Sequence, residues 1–224
     1  MTTNLALLRL LQLVSPNLPI GMYCYSQGLE HAVEAGQVTH ANEVAEWISG
    51  ILEQCISKVD LPIIARLYNA WEQQDIDAVK KWSSTLLACR ETSELREEDR
   101  QTGQALARLL TGLDITEAKQ WQRQFNTTQA VMFALAAVKW HIPKQIALAG
   151  FLWSWMENQI LCAVKLVPLG QLAGQRLNHE LAEKIPELLE QGLRLEDNEI
   201  GGSVFALALA SSRHEMQYSR LFRS

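Results

Sequence analysis

The chain has 224 residues, enough for one large domain with a substantial core or for two small ones. Apolar residues make up 48% and charged residues 20%, the balance of an ordinary globular protein, and a net charge of −5 argues against nucleic-acid binding driven by phosphate neutralisation. With only 12 Gly and 6 Pro to interrupt it, the sequence favours long helices over a sandwich or barrel.

Residues 5–14 read as a helix that is apolar almost all round, with Arg9 and Gln12 on one thin polar face, and such a helix is expected to be mostly buried. Pro16 and Pro19 end it, and residues 15–25 form a loop with Gly21 at a turn position. A short helix is expected over 27–35, with Gly36 as its C-terminal cap. Val44, Ile48, Ile51, Leu52, Cys55, Ile56 and Val59 then recur at helical spacing, and Asp60 with Pro62 is expected to start a separate helix that runs to about Gln74. Asp75 can cap the helix that carries Val79, Trp82, Leu86 and Leu87. Leu95, Leu106, Leu109 and Leu110 mark another helix, closed by Gly112. Asp114 and Glu117 frame a short helix through Arg123, and Thr127 or Thr128 opens the next. Pro143 starts a long apolar helix to about Leu166, which Pro168 must end or bend. Helices over 171–184 and from Pro186 follow, and Gly201-Gly202 precedes a last apolar helix that runs out into a polar tail. No run of β-branched residues alternates with polar ones, so the expectation is one all-α domain, a bundle of about ten helices over residues 1–224.

The apolar runs at 145–156, 159–164 and 201–212 are each shorter than the ~20 residues that span a bilayer. They read as buried helix, so no membrane partner is expected. Cys24, Cys55, Cys89 and Cys162 form no C-x-x-C pair, and Arg9 interrupts the first apolar stretch, which lacks the frame of a secretory signal. Free thiols in a reducing cytoplasm are the simplest reading.

Catalytic signatures are missing. There is no phosphate-binding glycine loop, no G-x-S-x-G elbow and no H-E-x-x-H helix. His31, His40, His141, His179 and His214 are scattered, so a dedicated metal cage is not expected, and His141 beside Pro143 reads as a helix-end residue. The charge run over 90–100 reads as a solvated helix start, with Arg90–Glu94 and Glu97–Arg100 pairs worth about 0.2–0.5 kcal/mol each. Asp99 breaks that picture. It lies on the apolar stripe, where a carboxylate needs a donor, and structural pairing is favoured over a role as catalytic acid.

Two stretches carry interaction chemistry. In the early loop Tyr23 and Tyr25, between Gly21 and Gly28, either pack the loop onto the domain or offer a protein-contact surface. In the tail Met216, Tyr218, Leu221 and Phe222 alternate with Arg213, Arg220 and Arg223. Chain ends are usually polar and frayed, so this one either folds back onto the domain or docks on a partner.

Four stretches in order along the chain resemble the UreF family of urease accessory proteins. They are Leu18-Pro19-Ile20-Gly21 with Tyr25-Ser26-Gln27-Gly28-Leu29-Glu30; Arg90-Glu91-Thr92 with Glu94-Leu95-Arg96 and Gly103; Lys165-Leu166-Val167-Pro168-Leu169-Gly170-Gln171; and Arg213-His214-Glu215 with Gln217-Tyr218-Ser219-Arg220-Leu221-Phe222-Arg223-Ser224. Met22-Tyr23-Cys24 departs from the Gly- and Phe-rich wording of that family's early loop, and Ala210-Ser211-Ser212 from its commoner Met-Arg-His run.

The resemblance implies an all-α fold that dimerises, and a non-enzymatic scaffold. It implies a complex with UreD (UreH in some species) and the nickel-carrying GTPase UreG that acts on urease apoprotein, with nickel handled by the complex and not held tightly by this chain. By motif, residues 212–224 would be a docking tail for UreD, with Arg213, Gln217, Tyr218, Arg220, Leu221 and Phe222 in contact. Glu30 and Lys165 fall in motifs that would face UreG, although each also suits a helix end by charge alone: Glu30 the positive end of the short helix, Lys165 the negative end of the long one. The alternatives are an all-α enzyme with an unrecognised site and a stand-alone nickel carrier.

Overall fold

Three helices begin where short polar side chains can accept an orphan N–H. Asp75 Oδ1 accepts from Ala78 at 2.9 Å, Thr92 Oγ1 from Leu95 at 3.3 Å and Thr128 Oγ1 from Val131 at 3.3 Å. The computed structural model describes residues 5–224. Along them run α1 (Leu5–Leu13), α2 (Leu29–Glu34), α3 (Ala41–Ile51), α4 (Leu61–Glu72), α5 (Ile76–Ala88), α6 (Ser93–Gly112), α7 (Gln129–Lys139), α8 (Lys144–Leu166), α9 (Gln171–Ala182), α10 (Ile185–Arg194) and α11 (Phe205–His214). Short 3₁₀ segments cover Met22–Cys24 and Thr116–Trp121, and no strand occurs among the described residues. The all-α fold expected from the sequence is the one observed.

Helix α7 lies at the centre. Every residue from Ala130 to Ala137 is buried, which the apolar, alanine-rich sequence of that helix permits on all sides. It packs against α4 and α6. Trp71 of α4 donates its indole N–H to the Val131 carbonyl at 3.0 Å and meets the buried Trp121 edge-on at 5.8 Å. On the other side α6 comes close through Gly103, where a Cβ would stand only 2.4 Å from the backbone carbon of Thr128. His141 takes φ 54° just past α7, the helix-end role expected of it.

Two expectations need correction. Pro62 does not start a separate helix: α3 and α4 form one continuous helical path through a π-helical stretch, Leu52–Asp60. The Leu61 N–H reaches back five residues to the Ile56 carbonyl, and the wider turn takes up the missing proline N–H. The Lys58 carbonyl, which Pro62 leaves without its helical donor, accepts instead from Gly201 at 3.3 Å. Gly202 lies so close that a Cβ there would come within 2.1 Å of the Gln54 carbonyl oxygen.

Helix α1 is the second correction. Only Leu10 and Leu13 are buried, while Leu5, Leu7, Leu8 and Leu11 are about half exposed or more. Arg9 stacks over Trp140 and bonds to the exposed Gln12, so the Arg9 side of the helix faces the protein and the leucines are left outward. Hydrophobicity alone did not fix which side of a nine-residue helix would be covered.

Candidate partner-binding site

The tail folds back. Helix α11 runs to His214, so residue 212 lies inside it and the irregular segment begins at Glu215. From there the chain doubles back across the N-termini of α2 and α6. The approach depends on Gly28, whose φ of 77° is left-handed and whose missing Cβ would sit 2.9 Å from the backbone nitrogen of Ser211. Glu30 follows in the first turn of α2.

Glu30 is the anchor. Its Oε1 accepts the N–H of Leu221 at 2.6 Å and its Oε2 accepts the N–H of Phe222 at 2.8 Å. The same Oε2 lies 3.3 Å from His214 Nε2, and Nδ1 of that fully buried ring lies 2.8 Å from Glu94 Oε2. Glu94 Oε1 in turn accepts from Arg220 Nη1 at 2.7 Å. The remaining guanidinium donors of Arg220 fold its own segment, bonding the carbonyls of Gln217 and Glu215. Glu215 accepts from Ser93 Oγ, from the Ser93 N–H and from the Glu94 N–H; the Ser93 hydroxyl chiefly, with those helix N–H groups, holds its carboxyl below the usual range. Further along, Arg223 donates its N–H to the Cys24 carbonyl, and the Ser224 carbonyl accepts from both the N–H and the hydroxyl of Ser26.

Of the two readings of the tail, the structure shows folding back, and it sorts the candidate residues by face. Phe222 is buried, with Lys165 Nζ 5.6 Å from its ring centroid. Tyr218 is fully exposed, Met216 87% and Leu221 65%, so the outward side of the tail carries large apolar side chains among exposed arginines. Tyr25 packs the early loop, donating its hydroxyl to Gln101, and burial pushes that hydroxyl's pKa up. Tyr23 stands out at 54% exposure beside Gly21, whose φ is 80°. Arg213 and Gln217 lie near the same turn, Gln217 bonding the Ser219 carbonyl.

The resemblance points Glu30 toward a partner, but the structure buries its carboxylate under the tail, with both oxygens engaged. Its reach to any partner passes through Leu221 and Phe222. Lys165 does stand in the last turn of α8 with its side chain outward, as the helix-end reading requires. Glu30, Lys165 and the tail are therefore contiguous in one cluster. Glu94 and His214 complete it. Neither stood out in the sequence, because their partners lie 120 and 184 residues away.

Behind this site is a second buried cluster. Arg90 is no surface residue: its guanidinium bonds both oxygens of Asp60 and donates through Nε to Asp99 at 2.6 Å. Burial works to lower the Arg90 pKa, but the two carboxylates outweigh it and raise it. Asp99 thus has the structural pairing expected of it. The Arg90–Glu94 pair does not form, whereas Glu97–Arg100 does, at 3.6 Å. Glu98 accepts from Gln27 at 2.8 Å and from Ser224 at 3.1 Å, and burial pushes its pKa up to about 7. The cavity here, lined also by Cys55 and Trp155, has a volume of about 30 Å³, room for a water or two and for no substrate. Burial also pushes the Cys55 and Cys162 thiols up to about 12, so neither is a ready nucleophile. Among the described residues no group of three or more His, Cys, Asp and Glu could hold a metal ion, and no helix is long and apolar enough to cross a membrane.

The profile of the UreF family matches residues 38–182, well over half of the chain. The chain belongs to the UreF family. It is 56% identical over 221 residues to the urease accessory protein UreF of Alkalilimnicola ehrlichii, an alignment that covers 99% of this chain and 97% of that protein. It is 48% identical to the UreF of Pseudomonas putida strain W619, with all of both chains covered. To the UreF of Teredinibacter turnerae it is 47% identical, with 99% of this chain and 100% of that one covered. UreF proteins are accessory proteins and not enzymes. The profile stops short of both Glu30 and the tail, while the full-length relatives span both.

Proposed function

We propose that the chain fills the accessory role in urease maturation that membership of the UreF family gives it as a scaffold in the cytoplasm: it bridges UreD (UreH) and the GTPase UreG, dimerises within that complex, and supports nickel insertion into urease apoprotein without holding nickel tightly itself. The tail carries the reading. An irregular chain end that displays Met216, Tyr218 and Leu221 on its outer side, while Glu30, Glu94 and Arg220 fix its inner side, is a rigid apolar ridge, and a ridge of that kind costs little ordering entropy to bind. UreD is proposed to take this ridge. Lys165 and Tyr23, exposed beside it, are proposed to belong to the surface that meets UreG, with Glu30 acting from beneath.

Co-purification tests the proposal. The double variant Tyr218→Ala with Leu221→Ala touches only exposed side chains, so it should keep the melting temperature of the parent and lose UreD from the purified complex. Retained UreD at parental levels would sink the tail-docking reading. Lys165→Ala should leave UreD bound and weaken recovery of UreG.

A further inference from the structure

Helix α6 and the early loop enclose a groove apart from the outward side chains of the tail. Ala105, Arg108, Leu109 and Gly112 recur at helical spacing along one side of α6, and Pro19, Gly21 and Tyr23 of the loop stand with them. Two hollows of about 330 Å³ and 430 Å³ adjoin there and share Ala105 and Arg108. From Gln101 at one end to Leu113 at the other, the helix rises about 18 Å, the length of about five residues of extended chain. At Gly21 and Gly112 a Cβ would meet nothing within 4 Å, so the groove is open at both.

Its charge runs against that of the chain. The protein carries 25 acidic residues against 20 basic ones, yet no Asp or Glu lines either hollow, while Arg108 and Arg223 do. The acids at the ends are placed elsewhere: Glu97 bonds Gln101 and Arg100, and Asp114 follows Leu113 outside both linings. Arg108 is exposed and pairs with no carboxylate among the described residues. Arg223 is held at the same hollow by Gln101, whose Oε1 accepts from its Nη1 at 3.1 Å. The folded tail thus supplies one of the two cations. Beside them lies apolar surface, with Tyr23 54% and Leu113 38% exposed and Leu109 half-buried.

We propose that this groove docks a short acidic segment of a partner protein, its carboxylates on Arg108 and Arg223 and its apolar side chains against Tyr23, Leu109 and Leu113. A guanidinium without a carboxylate partner offers such a segment a two-pronged contact. The excess of negative charge elsewhere on the chain disfavours the same segment there. Two cations are too few to hold a phosphate backbone. This contact goes beyond the tail ridge, since Met216, Tyr218 and Leu221 line neither hollow.

The test uses the full chain, co-expressed with a urease gene cluster and purified with what it binds. Leu113 is replaced by a photoreactive benzoylphenylalanine, and the segment it captures on illumination is sequenced by mass spectrometry. The expected segment belongs to another protein and carries at least two Asp or Glu within about five residues, the length of the groove. Arg108→Glu should cut the capture at least about tenfold, and Arg108→Lys should retain most of it, with the melting temperature of the chain unchanged in both. Should Arg108→Glu disturb the fold, the salt dependence of capture by the parent decides: a fall from low to high salt supports the proposal and a flat yield overturns it. No capture, capture of a second copy of this chain, capture of a segment without carboxylates, or a yield indifferent to Arg108→Glu in the folded protein also overturns it. Tail docking is read separately, from UreD recovery with the Tyr218→Ala and Leu221→Ala pair, so either reading can fail alone.

Discussion

Glu30 and Phe222 stand 192 residues apart in sequence and 2.8 Å apart in space, carboxylate oxygen to backbone nitrogen. The bond pairs a helix-start carboxylate with a chain end that would otherwise fray, and the neighbouring Leu221 N–H takes the other oxygen. Glu30→Gln keeps the shape but leaves only one acceptor oxygen and turns an NH₂ group toward a donor. Hydrogen bonds to charged groups contribute about 1.5–3 kcal/mol, so the tail should open roughly ten- to a hundredfold more often. Amide exchange at Leu221 and Phe222 reads this directly, and unchanged protection there would contradict it.

Arg90 holds two buried carboxylates at once. Arg90→Ala leaves Asp60 and Asp99 facing each other without a cation, and breaking a buried pair in this way costs about 3–5 kcal/mol. Urea denaturation of the variant should show that loss. Arg90→Lys should recover little, because an ammonium cannot reproduce the two-pronged contact with Asp60.

Two glycines give opposite expectations for the same substitution. At Gly103 a new methyl group would strike the backbone of Thr128 and Gln129, and the rigid start of α7 cannot yield, so Gly103→Ala should destabilise by about 1–3 kcal/mol or more. At Gly50, inside the helical path with nothing within 4 Å, Gly50→Ala should stabilise by about 0.5–1 kcal/mol. Melting temperatures of the pair should move in opposite directions.

Glu98 should leave its mark on global stability. Its pKa in the folded protein lies above the ordinary value because burial disfavours the charge, so its contribution is fully present below 4.5 and is lost as pH rises through about 7. The loss amounts to about 3 kcal/mol at most. Other carboxylates titrate over the lower part of that range, so the useful quantity is the difference between parent and Glu98→Gln. That difference should shift in favour of the variant between pH 5 and pH 8, as read from urea midpoints.

The outward leucines of α1 offer a simple contrast. Leu8→Gln should change the stability of the isolated chain by no more than about 0.5 kcal/mol, since the side chain is already half exposed. Leu10→Ala should cost about 2–5 kcal/mol, because Leu10 packs into the space left by Gly150. Equal effects at the two positions would mean that α1 sits in the other rotation.

What could be read from the chain was local. Periodicity located the helices, and Asp75, Thr128, Pro143 and His141 marked ends that the structure keeps. Partner choice over long distances was not legible. Spacing pairs Arg90 with Glu94 four residues away, yet Arg90 turns to Asp60 and Asp99, and Glu94 to His214 and Arg220, because only tertiary packing decides which carboxylate shares a guanidinium's dry pocket. The same limit explains Glu30: its position at a helix start was plain, while the tail that covers it lies at the far end of the chain. Proline chemistry foretold a break at residue 62, and a π turn together with a donor from residue 201 removed the need for one.

That borrowed donor ties the two halves of the chain together. Along the helical path from Ala41 to Glu72, the Lys58 carbonyl gains its donor only when Gly201 and Gly202 come to lie against Lys58 and Gln54. A fragment ending before residue 200 would carry the whole of this helix in sequence and yet leave that carbonyl without the N–H that Gly201 supplies.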